Sequence, residues 1–207
     1  SRDYEGNGIV FFDKEYKVEK VRLTKLKLNN YFLGAVFYKI GKIKNTLTID
    51  GLTYDYSLAP RYNSFDSTNE LEINVNISQL KIRKDLVLDN FIGSFYSNEK
   101  LHGLGSGRLN SGPLVQIRID FDDQKKIFSV FSKNAGDVLL ESNVYSSGYG
   151  GEIEFELAQR PKMDITGVIN VKNLRVIGAP FLAKLISFTS VAGIRDILSS
   201  NGIVLNN

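Results

Sequence analysis

The chain has 207 residues, enough for one large β domain or two small ones. Its 26 Lys and Arg against 23 Asp and Glu leave a net charge of +3, and 43% of its residues are hydrophobic, so neither wholesale disorder nor the basic face of a nucleic-acid binder is expected. With no cysteine and one histidine it has no disulfides and no His/Cys metal cluster, and no apolar run approaches the ~18 residues of a membrane span.

Most of the chain reads in period two. Residues 8–12, 16–28, 31–40, 43–49 and 53–58 are rich in aromatic and β-branched residues and predict strands. Apolar parity changes between Val21/Leu23 and Leu26/Leu28, which fits either a β-bulge near Thr24 or a strand fully buried at one end. The basic cluster from Lys14 to Lys27 reads as the solvated face of this strand. Asn29-Asn30 and Asp50-Gly51 read as turns, and the polar segment 60–69 as a longer loop and a boundary.

Beyond that boundary three alternations are clear. Leu71, Ile73, Val75 and Ile77 alternate with polar residues, as do Val115, Ile117, Ile119 and Phe121, and then Ile153, Phe155 and Leu157. Each predicts a strand with one dry and one wet face, as in antiparallel sheets open to water on one side. Residues 110–113 and 146–151 carry turn chemistry. A short helix is expected over 134–145, with Asn134 as cap and Val138, Leu139 and Tyr145 inward, although Gly136 works against it. A second helix is expected over 180–200. Pro180 starts it, Phe181, Leu182, Leu185, Ile186 and Phe188 recur at helical spacing, and Asn201-Gly202 stops it. This helix reads either as a plug at one end of a curved sheet or as an amphipathic lid touching lipid.

No catalytic constellation emerges. His102 lies in a segment, 100–108, that reads as a glycine-rich surface turn. Its glycines at 103, 105 and 107 fit neither the dinucleotide nor the phosphate-loop pattern. Asp120, Asp122 and Asp123 sit at a strand end where charge is simply solvated, and Glu152, Glu154 and Glu156 form a wet, mutually repelling face. No enzyme activity, cofactor or metal is expected. What remains is apolar area on one face of many strands. That area is a core in a closed sandwich and a greasy groove in a curled, open sheet, and periodicity does not separate the two.

The order of features from about Glu70 onward resembles the AsmA-like C-terminal region of bacterial envelope proteins, particularly the larger YhdP-type members. The resemblance rests on Leu-Glu-Ile-Asn-Val-Asn-Ile from Leu71, Leu-Val-Leu-Asp-Asn-Phe from Leu86, Phe-Ser-Val-Phe-Ser-Lys-Asn-Ala-Gly-Asp-Val-Leu from Phe128, and the double glycine Gly150-Gly151. It continues through Gly-Val-Ile-Asn-Val from Gly167, then Ala179-Pro180, Ser-Val-Ala-Gly-Ile from Ser190, and Gly202-Ile203. Asn134 stands where the family usually has an acidic residue, and residues 1–60 fit only loosely, as a strand series upstream of region 70–207. The resemblance implies an inner-membrane anchor outside this sequence, which reads as an excerpt or processed product. It also implies a periplasmic location, a long curled β-sheet with an apolar groove, and a role in moving phospholipid towards the outer membrane.

The expected fold is therefore mainly β. It is a strongly curved antiparallel sheet, groove-like or taco-like, with a C-terminal helix and a short helix near 134–145. The candidate groove residues are Leu71, Ile73, Val75, Ile77, Val115, Ile117, Ile119, Phe121, Ile153, Phe155 and Leu157. The expected partner is phospholipid or another acyl lipid. The alternative is a closed β module that docks an envelope protein.

Overall fold

The computed structural model describes residues 4–59, 70–98, 100–122, 125–160 and 165–177. Nine strands come first: β1 (Tyr4–Phe12), β2 (Val18–Leu28), β3 (Phe32–Lys39), β4 (Lys44–Asp55), β5 (Glu70–Arg83), β6 (Leu86–Asn98), β7 (Lys100–Leu109), β8 (Leu114–Asp122) and β9 (Lys125–Ser132). Helix α1 (Ala135–Glu141) follows, then β10 (Gly148–Tyr149), β11 (Glu152–Gln159), β12 (Thr166–Lys172) and β13 (Arg175–Val176). Among the described residues eleven strands form one open sheet in the order β1 to β9, then β11 and β12, while β10 and β13 pair separately.

Chain neighbours pair antiparallel throughout this sheet, except that β4 and β5 run parallel. This corrects the expectation of a wholly antiparallel sheet. The interval 56–69 holds fourteen residues, which meets the dozen or so that a return between parallel strands requires. Asp50-Gly51 is a second correction, because β4 continues through it, with only a register slip against β3 at Leu52. Gly51 is flanked by the Phe32 and Ile77 side chains, either of which would lie 3.2 Å from an added Cβ, so the missing side chain is replaced by its neighbours. The parity change in β2 is a bulge, with the register slipping between Leu23 and Leu26 and Lys25 at φ 51°.

Helix α1 forms where its cap residues predict. The Asn134 side chain accepts the Asp137 N–H at 3.3 Å. The N–H groups of Ala135 and Gly136 donate to the carbonyls of Gly151 and Gly150, both at 2.9 Å. The first-turn amides are thus satisfied by the crossing 148–151 segment. At the other end Asn143 adopts φ 58°, and Val144 N–H reaches back to the Leu139 carbonyl at 2.9 Å, a Schellman stop. Leu139 is 2% exposed and Tyr145 is buried, as expected, while Val138 packs against the core formed by Leu88, Phe91, Leu109 and Val115. The expected C-terminal helix over 180–200 and the loop over 60–69 lie outside the described residues. Among the described residues no helix is long and apolar enough to cross a membrane.

Candidate functional site

The strand registers place all eleven candidate groove residues on one face of the sheet. Following directly paired residues from edge to edge gives an unbroken lateral row: Val10, Val21, Tyr38, Leu47, Ile73, Phe95, Gly103, Ile119, Phe128, Leu157 and Gly167. A second row, two residues along each strand, runs Gly8, Leu23, Val36, Ile49, Val75, Gly93, Gly105, Ile117, Val130, Phe155 and Ile169. Every position in both rows is apolar, glycine or tyrosine. The row between them, on the opposite face, runs Ile9, Arg22, Phe37, Thr48, Asn74, Ser94, Leu104, Arg118, Ser129, Glu156 and Val168, and is mixed.

The apolar rows form a lane running across the strands. At 4.7–4.9 Å per strand its ten steps span roughly 48 Å. Packing divides the candidates into two groups. Leu71, Ile77, Val115 and Leu157 are buried and belong to the core. Ile73, Val75, Ile117, Ile119, Phe121, Ile153 and Phe155 are only half-buried. The elements in substantial contact are sheet neighbours, with α1 against β10 and β11, and Val138 of α1 packs against the cluster that includes Phe91 and Val115 on this face.

Sequence reasoning missed β6 and β7 as contributors to the lane. Residues 100–108 are strand, not a glycine-rich turn, and His102 stacks on Tyr96 with ring centroids 5.4 Å apart. Gly103, Gly105 and Gly107 all face the lane. A Cβ on Gly105 would lie 2.5 Å from the Phe91 ring, so the aromatic rings of β6 occupy the space that β7 leaves empty. The usable signal was the period-two spacing of the glycines themselves.

The remaining chemistry is sparse. Two shallow depressions lie on the mixed face, one among Thr48, Asn74, Asn76, Ile92, Ser94 and Leu104, the other among Arg22, Phe37, Thr48 and Asp50. Glu72 has its carboxyl held below the usual range, first by the hydrogen bond from Lys44 and then by that from Asn74. Burial, followed by the Tyr56 and Tyr31 hydroxyls, pushes the Tyr54 phenol up. Asp120 is exposed at the end of β8, and its carboxylate accepts the Phe121 N–H at 2.8 Å, whereas Asp123 is outside the described residues. Among the described residues no group of three or more His, Cys, Asp or Glu is placed to hold a metal. Searches with this chain against family models, curated proteins and solved structures found no match.

Proposed function

We propose that this chain is a non-enzymatic segment of a lipid-transfer conduit, in which the apolar lane carries acyl chains while headgroups remain in water. The observation that carries the reading is the pair of edge-to-edge rows without a charged residue on any of the eleven strands. Each methylene withheld from water gains roughly 0.8 kcal/mol. Because the rows repeat strand after strand, one position offers an acyl chain much what the next does, which favours sliding over trapping. In this reading the sheet curls around the lane as a groove, the lipid is a phospholipid, and the chain works in the periplasm as part of an anchored AsmA-like envelope protein. No cofactor is needed.

A second reading, a closed docking module for an envelope protein partner, is favoured by the burial of Leu71, Ile77, Val115 and Leu157 and by the depressions lying on the other face. Lipid mass spectrometry of protein purified without detergent separates the two. The conduit predicts stoichiometric phospholipid that is lost in Ile73→Asp plus Ile119→Asp and kept in Ser94→Asp on the mixed face. Folded wild-type protein that carries no lipid, and takes up none from vesicles, refutes the conduit and leaves the docking module.

A further inference from the structure

At one end of the sheet the β1–β2 turn (residues 13–17) and the β3–β4 turn (residues 40–43) sit side by side. Lys20 pairs with Lys39 there, and the Ile40 N–H donates to the Glu19 carbonyl at 2.9 Å. Both turns are held firmly. The Asp13 carboxylate accepts the N–H groups of Glu15 and Lys17 at 2.8 and 2.9 Å. The buried Asn45 side chain accepts the Gly41 N–H at 3.2 Å.

What these turns present is apolar. Tyr16 is 88% exposed and Ile43 is 81% exposed, the two highest values among the large hydrophobics described. Tyr16 is held at φ 61°, a region uncommon for a bulky residue such as tyrosine, so the turn fixes a ring in water at a conformational cost. Phe12 and Ile40 are exposed behind them. A lone exposed hydrophobe needs no explanation, but two at the tips of adjoining turns, with two more beneath, form a patch.

The surrounding charge is net positive. Residues 13–20 and 39–44 hold six Lys against three Asp and Glu, a net +3, with Lys17 paired to Glu15 and Lys44 to Glu72. Lys14, Lys39 and Lys42 are exposed beside the two tips. An acidic protein surface would match the charge but not the projecting Tyr16 and Ile43. A partner whose polarity falls within a few ångströms of its charged surface matches both, because tyrosine favours the membrane–water interface and lysine attracts anionic headgroups.

We propose that this end of β1–β4 docks on the surface of an anionic phospholipid bilayer, with Tyr16 and Ile43 entering the headgroup layer and Lys14, Lys39 and Lys42 facing lipid phosphates. The site lies on turns outside the apolar lane, so it stands independently of the lipid-transfer reading. Each lysine near such a surface contributes roughly fivefold in affinity.

The test is co-sedimentation of the full 207-residue chain with vesicles of phosphatidylcholine alone or mixed with phosphatidylglycerol. Binding is expected on the anionic vesicles, weakening with salt, and about tenfold or more weaker on the neutral ones. Tyr16→Asn plus Ile43→Ser, at exposed sites and with an asparagine that tolerates the left-handed backbone, is expected to weaken anionic-vesicle binding by about tenfold with no loss of stability in urea unfolding. Lys14→Ser plus Lys42→Ser is expected to weaken it and flatten its salt dependence. The proposal is overturned if the wild-type chain ignores anionic vesicles. It is equally overturned if the apolar double variant binds them as well as wild type, since charge alone would then be at work and a soluble polyanion would compete equally against both proteins.

Discussion

Replacing Gly136 by alanine sets two effects of opposite sign against each other. In a helix the change is intrinsically favourable by about 1 kcal/mol, because glycine loses more backbone freedom on folding. Here the new Cβ would sit 2.5 Å from the Gly148 carbonyl oxygen and 2.8 Å from the Tyr149 Cα. Both are backbone atoms of the segment that crosses the helix, so no side-chain rotation relieves the contact. Overpacking of this kind costs about 1–3 kcal/mol. Moving the segment away also stretches the bonds from Ala135 and Gly136 to the Gly151 and Gly150 carbonyls, each worth about 1 kcal/mol. The steric and hydrogen-bond losses outweigh the propensity gain, and a net destabilisation of about 1–3 kcal/mol is expected. Urea unfolding followed by circular dichroism measures it. A variant as stable as wild type, or more stable, would refute the claim that the 148–151 segment is packed immovably on α1.

Two further predictions concern stability. Leu157→Ala, at a buried lane position, is expected to cost about 2–4 kcal/mol, whereas Val168→Ala, exposed on the opposite face, should stay within about 0.5 kcal/mol; similar losses at both sites in urea titrations would contradict the assigned faces. Glu72 titrates below its ordinary value of 4.5, so its contribution is present above that value and fades as pH falls through the lowered one. Glu72→Gln should therefore lower the urea midpoint slightly at neutral pH and converge with wild type once pH has fallen below the lowered carboxyl pKa, the gap shrinking in high salt; a gap that persists in acid would show that the Lys44 pairing is not its source.

The strands whose apolar residues alternate plainly, such as 71–77, 115–121 and 153–157, were legible in the sequence, and so was the face they share. The helix at Ala135–Glu141 was legible from its cap and from Leu139, and Gly136 spoke against it only because the crossing segment that requires a glycine there, Gly148–Tyr149, begins twelve residues downstream, beyond any local pattern. Strand β7 was hidden because its lane positions are glycines whose space is filled by Phe91 and Phe95 from the adjacent strand. Gly51 mimicked a turn for a related reason. The parallel joint of β4 and β5 left no local trace, since either direction of pairing serves the same alternation. The same division holds for the lane: the dry face of each candidate's strand was legible strand by strand, but the edge-to-edge rows depend on register, which is a property of pairs of strands.

The open, sequential order of the sheet makes this molecule thermodynamically one-dimensional. Among the described residues each strand of the sheet leans on two neighbours and the outermost on one, so stability is approximately a sum of nearest-neighbour interfaces, as in solenoids. Opening should then begin at the margins and move inward without a single all-or-none step. Amide hydrogen exchange would read as a gradient, fastest in β1, where every residue is exposed, and slowest near β5–β7, where Leu88 and Phe91 lie. A lane that frays from its margins keeps its middle intact, so under the proposed lipid-transfer reading its ends are where loading or hand-over would encounter the least resistance.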